Sequence, residues 1–211
     1  MVKKIVGTGV LLVLALALQA GVKMYTLKSP DGKVKLEVTA GQGIAYSLFY
    51  DGRLLLKPSR IALHTDLPEA DHWENIRITG TKQRHVSETV QAPFYRVKEF
   101  GIDCNELELR LNNGFSLLMR AYNDGMAYRF VAGRKGEMTV VEERAEFNFA
   151  DDFEAYIPYS TNPKDPWNMA FQNFYTKAPL TQYNTELPAF LPLTVDAGAV
   201  KLTLLESDLE A

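Results

Sequence analysis

The sequence contains a single cysteine, Cys104, among 211 residues, so no disulfide can form within the chain. Its formal net charge is −3, and its 23 basic residues are spread along the chain without forming a basic stripe. It has neither a glycine-rich phosphate loop nor a G-x-S-x-G nucleophile turn. These absences exclude a disulfide scaffold. They argue against a nucleic-acid-binding surface, a phosphate-binding site built on a glycine-rich loop and a serine-hydrolase site.

Histidines are also scarce, and none of His64, His72 and His85 lies two or four residues from another. A local zinc motif is therefore absent, and surface or hydrogen-bonded core positions are the expected places for them. Glu142-Glu143 and Asp151-Asp152 are acidic pairs, but neighbours on a strand point to opposite faces. We interpret both pairs as parts of solvated turns rather than as catalytic dyads.

Long hydrophobic runs are missing except at the amino terminus. There Lys3 and Lys4 precede the apolar stretch Ile5–Leu18, and Gln19-Ala20 offers a cleavage end. A stretch of about 14 residues is short for a membrane helix, which needs about 20. We therefore predict a signal peptide over residues 1–20 in preference to an uncleaved anchor. The mature chain, residues 21–211, then has no membrane span and is periplasmic or exported.

What the sequence does contain is a series of strand-like runs separated by turn residues. The turns are Pro30-Asp31-Gly32, Asp51-Gly52, Asn113-Gly114 and Asn123-Asp124-Gly125, the last within GFSLLMRAYNDGMAYRFVA. Asp-Gly and Asn-Gly supply the positive φ that a tight hairpin needs. The pattern thus predicts that successive strands pair antiparallel.

Alternation within the runs supports this interpretation. In one segment three leucines share one face and three charged residues share the other: Leu107, Leu109 and Leu111 against Glu106, Glu108 and Arg110. Further strand-like runs follow Met138, namely TVVEERAEFNF, EAYIP, FLPLTV and AVKLTLL. The sequence predicts an all-β, antiparallel sandwich or meander. Because the chain stops directly after a strand, we expect it to be truncated and to be the front part of a longer protein.

A proline-rich segment between Pro158 and Pro188 has a different character. It contains the aromatic residues Trp167, Phe171, Phe174, Tyr175 and Tyr183, and Asp165 followed by proline is able to begin a short helix. These aromatics either pack the excursion against the sheet or present a platform for a sugar ring. Trp167 is the candidate substrate-binding residue.

Two glutamates are candidate metal ligands. Glu186 and Glu206 lie at the ends of strand-like stretches in the carboxyl-terminal part of the chain. Calcium takes carboxylate oxygens from separated segments, so both glutamates are suitable ligands for it.

Five segments in order give the chain a family resemblance: SPDGKVKLEV, LLLKPSRIAL, RAYNDGMAYRF, EERAEFNF and LTLLESDLEA. Over residues Tyr25–Ala211 it resembles the amino-terminal domain of glycoside hydrolase family 97. The resemblance implies a β-super-sandwich similar to galactose mutarotase, from an exported α-glucosidase or α-galactosidase of a Gram-negative, Bacteroidetes-like bacterium. Its substrate is an oligosaccharide, and the chemistry belongs to a (β/α)8 barrel downstream.

The resemblance also implies particular roles. The barrel carries the catalytic carboxylates, acting with inversion or with retention, so this chain contains no catalytic residue and is inactive alone. The amino-terminal domain gives one glutamate to a calcium ion. Glu206, in the stretch Glu-Ser-Asp-Leu, matches that position best and Glu186 is second.

Three other functions remain open on the sequence. One is a non-catalytic carbohydrate-binding β-sandwich that uses Trp167 as a platform. Another is a mutarotase-like epimerase, which needs a histidine acid and a carboxylate base in one cleft, with His85 as the residue to test. The third is a purely structural support for the barrel.

Overall fold

The computed structural model describes residues 23–71, 73–133, 135–160, 162, 164–165 and 173–206. Within these ranges the chain forms thirteen strands and two single-turn 3₁₀ helices, Trp73–Asn75 and Leu180–Gln182. The strands are β1 Lys23–Lys28, β2 Val34–Gly41, β3 Gly43–Tyr50, β4 Arg53–Thr65, β5 Ile78–Gln91, β6 Glu99–Leu111, β7 Phe115–Tyr122, β8 Gly125–Ala132, β9 Val140–Ala145, β10 Glu154–Ile157, β11 Thr176–Pro179, β12 Leu193–Asp196 and β13 Lys201–Leu204. The predicted all-β class is confirmed. No helix in the described part of the chain is long and apolar enough to cross a membrane.

The strands form three sheets in which the paired strands run antiparallel. Sheet A has the order β1-β2-β3-β4-β9, sheet B the order β5-β6-β7-β8, and sheet C the order β11-β10-β12-β13. Sheets A and B are built mainly from consecutive hairpins. Only β9 leaves this sequence, because it returns to pair with β4 at the edge of sheet A.

Three of the predicted hairpins form at the predicted turn residues. Asp51 and Gly52, between β3 and β4, have φ angles of +48° and +79°, the combination that a two-residue hairpin turn with the right twist requires. Gly32 and Gly114 also have positive φ, and they join β1 to β2 and β6 to β7.

The fourth hairpin, β7–β8, is present, but the predicted role of its glycine is wrong. Tyr122 pairs with Gly125, so the turn consists of Asn123 and Asp124, and none of these residues has positive φ. The Asn123 side chain instead accepts a hydrogen bond from the Asp31 backbone N–H at 3.0 Å. This contact fixes the tip of the hairpin against the first turn of sheet A.

One hydrophobic core is shared by all three sheets. Its most deeply buried members are Leu36, Val38, Ile44, Tyr46 and Ile61 from sheet A, Leu107, Leu109, Leu117 and Met119 from sheet B, and Ala155, Ile157 and Val195 from sheet C. Burial of one such leucine or isoleucine contributes about 1.5–3 kcal/mol. The leucine face predicted for β6 is therefore confirmed, and a β-sandwich results.

The two acidic pairs have different outcomes. Asp151-Asp152 lies in the bend before β10, as predicted. Glu142-Glu143 lies in β9 opposite His64 and Leu63, so its assignment to a turn is wrong. Adjacent charges are tolerated there because β9 is an edge strand whose residues are all exposed.

Candidate functional site

A cleft of about 1020 Å³ opens where the three sheets meet, and we call it the central cleft. Sheet A contributes residues of β3, β4 and β9, sheet B contributes β8, and sheet C contributes β13. Most of the wall is apolar, with Tyr46, Leu48, Leu56, Phe130 and Leu202 among its residues. Concave apolar walls with a few polar groups are the usual form of a binding site.

The polar groups of the central cleft gather around Tyr128. Its hydroxyl donates a hydrogen bond to Glu143 Oε1 at 3.1 Å, and its ring lies 6.1 Å from that of Tyr46. Glu206, just after β13, also lines the cleft. Burial raises the pKa of Tyr128 well above its usual value, and the negative charges of Glu143 and then Glu206 raise it further. Tyr128 therefore acts as a hydrogen-bond donor at neutral pH, not as a base.

Of the two predicted metal ligands, only Glu206 lies at the central cleft. Glu186 lies in the turn after the second 3₁₀ helix, where its backbone N–H donates to Asn184 Oδ1 at 3.0 Å, and it does not line the cleft. Across the described residues, no group of three or more His, Cys, Asp or Glu side chains could hold a metal ion. Glu206 and Glu143 offer two carboxylates near Tyr128, whereas calcium takes six to eight oxygen ligands.

The aromatic segment falls partly outside the described residues, and this includes Trp167, Phe171 and the short helix predicted after Asp165. Tyr183 packs against Tyr159 with ring centroids 5.3 Å apart, while the Phe174 side chain is fully exposed. Of the aromatic residues described in this segment, Tyr183 is therefore packed against another ring and Phe174 is exposed to solvent.

The two histidines that the structure describes lie away from the central cleft. His64 Nδ1 is 2.7 Å from an Asp71 carboxylate oxygen. His85 lies between Asn105, 3.0 Å from its Nδ1, and Asp103, 3.1 Å from its Nε2. Because neither lines the central cleft, they do not supply the converging acid that an epimerase requires there.

Sequence reasoning missed a charged cluster on sheet B. Glu106 is buried, with a side chain only 6% exposed, and its two oxygens accept hydrogen bonds from Arg84 Nε at 2.6 Å and Arg120 Nε at 2.8 Å. The hairpin registers place Arg84 and Arg120 opposite Glu106 on either side. Counting residues outward in both directions from the Asn113-Gly114 turn places Glu106 opposite Arg120, and this count would have predicted the pair.

Together, the three antiparallel sheets form a β-sandwich around one core, with a largely apolar cleft where the sheets meet. The family model "Glycosyl-hydrolase 97 N-terminal" matches residues 27–211. The chain belongs to glycoside hydrolase family 97 and corresponds to its amino-terminal domain.

Two relatives of known description support the assignment. A retaining alpha-galactosidase of Bacteroides thetaiotaomicron is 41% identical over 202 residues, which cover 92% of this chain and 30% of that protein. A probable retaining alpha-galactosidase of Streptomyces bingchenggensis is 26% identical over 158 residues, covering 73% of this chain and 24% of that protein. The chain therefore spans less than a third of the length of these relatives.

Solved structures show the same fold. A family 97 enzyme from Pseudoalteromonas sp. strain K8, in complex with acarbose, has a TM-score of 0.65 at 19% identity, covering 81% of this chain and 26% of that one. A beta-arabinopyranosidase has a TM-score of 0.69 at 22% identity, covering 81% and 29%. At these identities the likeness concerns the fold alone.

Proposed function

We propose that this chain is the amino-terminal domain of an exported, retaining α-galactosidase, here called the whole protein. The observation that supports it is the 41% identity to a retaining alpha-galactosidase over 92% of the chain. In the whole protein a catalytic barrel supplies the two carboxylates that cleavage with retention requires. The domain described here forms one wall of the active-site pocket through the residues of the central cleft. Residues 1–20 direct export.

The test is hydrolysis of p-nitrophenyl α-galactoside by the whole protein, with the first-formed anomer followed by proton NMR. We expect α-galactose to appear before mutarotation, because two successive displacements restore the configuration. Appearance of β-galactose first, or turnover of the α-glucoside alone, would contradict the proposal. As a control, residues 21–211 alone should release no nitrophenol, because the carboxylates that flank the scissile bond belong to the barrel.

We further propose that Glu206 gives one carboxylate to a calcium ion in the whole protein. Glu206 lines the central cleft, as Glu143 does, and this supports the proposal. The position of Glu186 outside the cleft favours Glu206 over it. Two carboxylates are too few for calcium, so the remaining oxygen ligands come from the barrel. When bound, the ion supplies positive charge beside the reacting sugar.

Calorimetric titration of the metal-free whole protein with calcium tests this assignment. Glu206→Gln should weaken calcium binding by roughly tenfold or more, because the number of charged ligands sets the affinity of such sites. Glu186→Gln is the matched control and should leave the affinity unchanged. The opposite ranking of the two variants would assign the ligand to Glu186.

Trp167 is proposed as a sugar-stacking residue of the whole protein. Aromatic rings present a flat apolar face to the apolar face of a pyranose, so Trp167→Ala should raise KM for an oligosaccharide with little change in kcat. An unchanged KM would assign Trp167 to packing.

A further inference from the structure

A second groove, of about 1280 Å³, crosses the start of strand β3, and we call it the lateral groove. Along β3, Ala45 lines the lateral groove, whereas the next residue, Tyr46, lines the central cleft. Just after β9, Glu146 and Phe147 are divided between the two cavities in the same way. Neighbouring residues of a strand point to opposite faces, so sheet A separates these parts of the two cavities. No described residue lines both of them.

The floor of the lateral groove consists of small residues. It contains Gly41, Gly43 and Ala45, from the turn between β2 and β3 and the first residues of β3. On one side Gly43 approaches the first 3₁₀ helix, because a Cβ on this glycine would lie 3.8 Å from the Trp73 carbonyl oxygen. On the other side Ala45 pairs with Arg60 of β4. The small residues therefore leave a low floor between two walls.

Hydrogen bonds fix the backbone of both walls. In the first wall, Asn112 Oδ1 accepts a hydrogen bond from the Arg77 backbone N–H at 2.8 Å, and the Asn112 N–H donates to the Arg77 carbonyl oxygen at 3.0 Å. In the second wall, Glu146 Oε2 accepts a hydrogen bond from the Arg60 backbone N–H at 3.1 Å. These contacts use the main chain of Arg60 and Arg77 and leave their guanidinium groups available. A wall that is fixed before a ligand arrives loses less entropy on binding.

Several polar side chains of the walls have hydrogen-bonding groups available for a ligand. Within the described part of the chain, five exposed residues that line the groove make no side-chain hydrogen bond and no ion pair: Gln42, Arg60, Glu74, Asn75 and Arg77. Guanidinium and amide N–H groups donate hydrogen bonds, whereas carboxylate and amide oxygens accept them. A ligand rich in hydroxyl groups, each of which both donates and accepts, matches this mixed set.

The charge and the apolar surface of the lateral groove narrow the class of ligand. Three basic and two acidic residues line it, so its net charge is close to zero and it has no strong attraction for a polyanion. Tyr25 and Ile78, both half-buried, add apolar surface. The groove is larger than the roughly 300–1,000 Å³ of a pocket for one small ligand. A neutral chain of several sugar rings fits these properties.

We propose that the lateral groove is a second, non-catalytic binding site, which takes a neutral oligosaccharide segment of a polymeric substrate. The sugar chain lies across Gly43 and Ala45, and the side chains of Arg60, Asn75 and Arg77 bind its hydroxyl groups from the two walls. A polymer held there keeps its cleavable groups at a high local concentration near the active-site pocket. The inference rests on the proposed function only for the identity of the sugar, which is an α-galactosyl-substituted polysaccharide.

Affinity electrophoresis of the whole protein in gels that contain galactomannan tests the proposal. Galactomannan is uncharged and carries α-galactosyl side groups. Arg77→Ala should weaken its binding roughly tenfold and Asn75→Ala roughly fivefold, because hydrogen bonds from charged groups contribute more than those from neutral groups. Arg96→Ala is the matched control and should bind like the parent, because Arg96 is an exposed arginine in the loop between β5 and β6, outside the groove.

Three results would overturn the proposal. The first is a parent protein that galactomannan does not retard, which is also the result expected if the remaining polypeptide of the whole protein covers the groove. The second is unchanged retardation of both Arg77→Ala and Asn75→Ala. The third is an equal loss of retardation in Arg96→Ala, which would show that binding depends on overall charge and not on the groove.

Hydrolysis of two substrates distinguishes a second site from a change in the active-site pocket. Arg77→Ala should raise KM for galactomannan and leave kcat and KM for p-nitrophenyl α-galactoside unchanged, because the small glycoside does not extend to the lateral groove. Equal changes for the two substrates would place Arg77 in the active-site pocket and contradict a separate site.

The neutral character of the ligand is tested in gels that contain polygalacturonate, an anionic polysaccharide. We expect it to retard the protein less than galactomannan does, and we expect galactomannan binding to change little when salt is added, because salt screens interactions between charges. Tighter binding of polygalacturonate, weakened by salt and by Arg77→Ala, would contradict the assignment of a neutral sugar.

Gels that contain soluble starch, an α-glucan, separate the inference from the proposed function. A whole protein that cleaves α-galactosides, but whose retardation is unchanged by Arg77→Ala and Asn75→Ala, would overturn the second site alone. A whole protein that cleaves no α-galactoside, yet is retarded by starch in a way that Arg77→Ala weakens, would overturn the galactosidase proposal and keep the second site.

Discussion

At the scale of single residues, the Glu106 carboxylate is a buried charge whose surroundings affect stability. It is buried in sheet B between Arg84 and Arg120, and no buried side-chain polar atom in the described residues lacks a hydrogen-bond partner. Burial, the largest influence, raises the pKa of Glu106. The hydrogen bonds and charges of Arg84 and Arg120 outweigh it and hold that pKa below its usual range.

Glu106→Gln should therefore lower the free energy of unfolding by about 2 kcal/mol. Removal of one member of a buried ion pair costs about 3–5 kcal/mol, and the cost here is smaller because the Arg84 side chain is 53% exposed. Glu108→Gln is the matched control, two residues away on the same face, and its partner Arg110 is 61% exposed. It should cost less than about 1 kcal/mol. Equal midpoints for the two variants in urea unfolding would contradict this account.

The sequence predicted the face of Glu106 but not its burial. Alternation along β6 correctly separated Leu107, Leu109 and Leu111 from the charged row. Glu106 and Glu108 differ because different residues lie opposite them on the neighbouring strands. Arg84 and Arg120 lie opposite Glu106, whereas Lys82 and Leu118 lie opposite Glu108. Residue type and spacing within one strand contain no information about that pairing.

At the scale of the elements, the hairpin turns determine how many strand pairings depend only on residues close together in the sequence. Gly52 has a φ of +79°, whereas Gly125, which begins β8, does not have positive φ. At both positions an added Cβ would meet no atom within 4 Å. The two glycines therefore differ in backbone conformation and not in available space.

Gly52→Ala should lower the free energy of unfolding by about 1 kcal/mol or slightly more, because an L side chain in the left-handed region crowds its own carbonyl. Gly125→Ala should change it by no more than about 0.5 kcal/mol, since alanine fits a strand at least as well as glycine. Thermal and urea unfolding of both variants measure the difference. A larger loss for Gly125→Ala would show that the turn, not the strand, contains this glycine.

The same distinction explains how much of the architecture was predictable. The turns at Pro30-Asp31-Gly32, Asp51-Gly52 and Asn113-Gly114 follow from neighbouring residues, so the hairpins β1–β2, β3–β4 and β6–β7 were predicted. The return of β9 to β4 was not, because Leu63 and Glu143 lie 80 positions apart in the sequence and are paired by packing of the completed core. The central cleft depends on such long-range pairing, and so Glu143 and Tyr128 were not predicted to line it. Glu206, which also lines it, was singled out from its place at a strand end and from the family resemblance.

At the scale of the whole molecule, several carboxylates make the free energy of unfolding depend on pH. A hydrogen bond from Ser29 is the largest cause that lowers the pKa of Asp31, and backbone N–H groups of Arg60 and Thr181 do the same for Glu146 and Asp152. The Lys201 ammonium lowers the pKa of Asp196. With Glu106, these groups join turns and strands of all three sheets.

A carboxylate whose pKa is lower in the folded state than in the unfolded state stabilises the fold above its unfolded pKa, about 3.9 for Asp and 4.3 for Glu. As pH falls through the folded pKa values, the unfolded chain binds more protons and this stabilisation is lost. The free energy of unfolding should therefore be steady near pH 6 and decrease progressively below about pH 5.

Urea unfolding of residues 21–211, followed by tryptophan fluorescence from pH 7 down to pH 2.5, measures this dependence. Glu106→Gln should start from a lower free energy at neutral pH and decline less steeply in acid, because it has one titrating group fewer with a lowered pKa. The two curves should therefore converge toward low pH, where Glu106 is protonated in both states and its advantage over glutamine disappears. Curves that stay parallel down to pH 2.5 would show that the Arg84–Glu106–Arg120 cluster stabilises the sheet through shape and hydrogen bonding, with no net contribution from its charge.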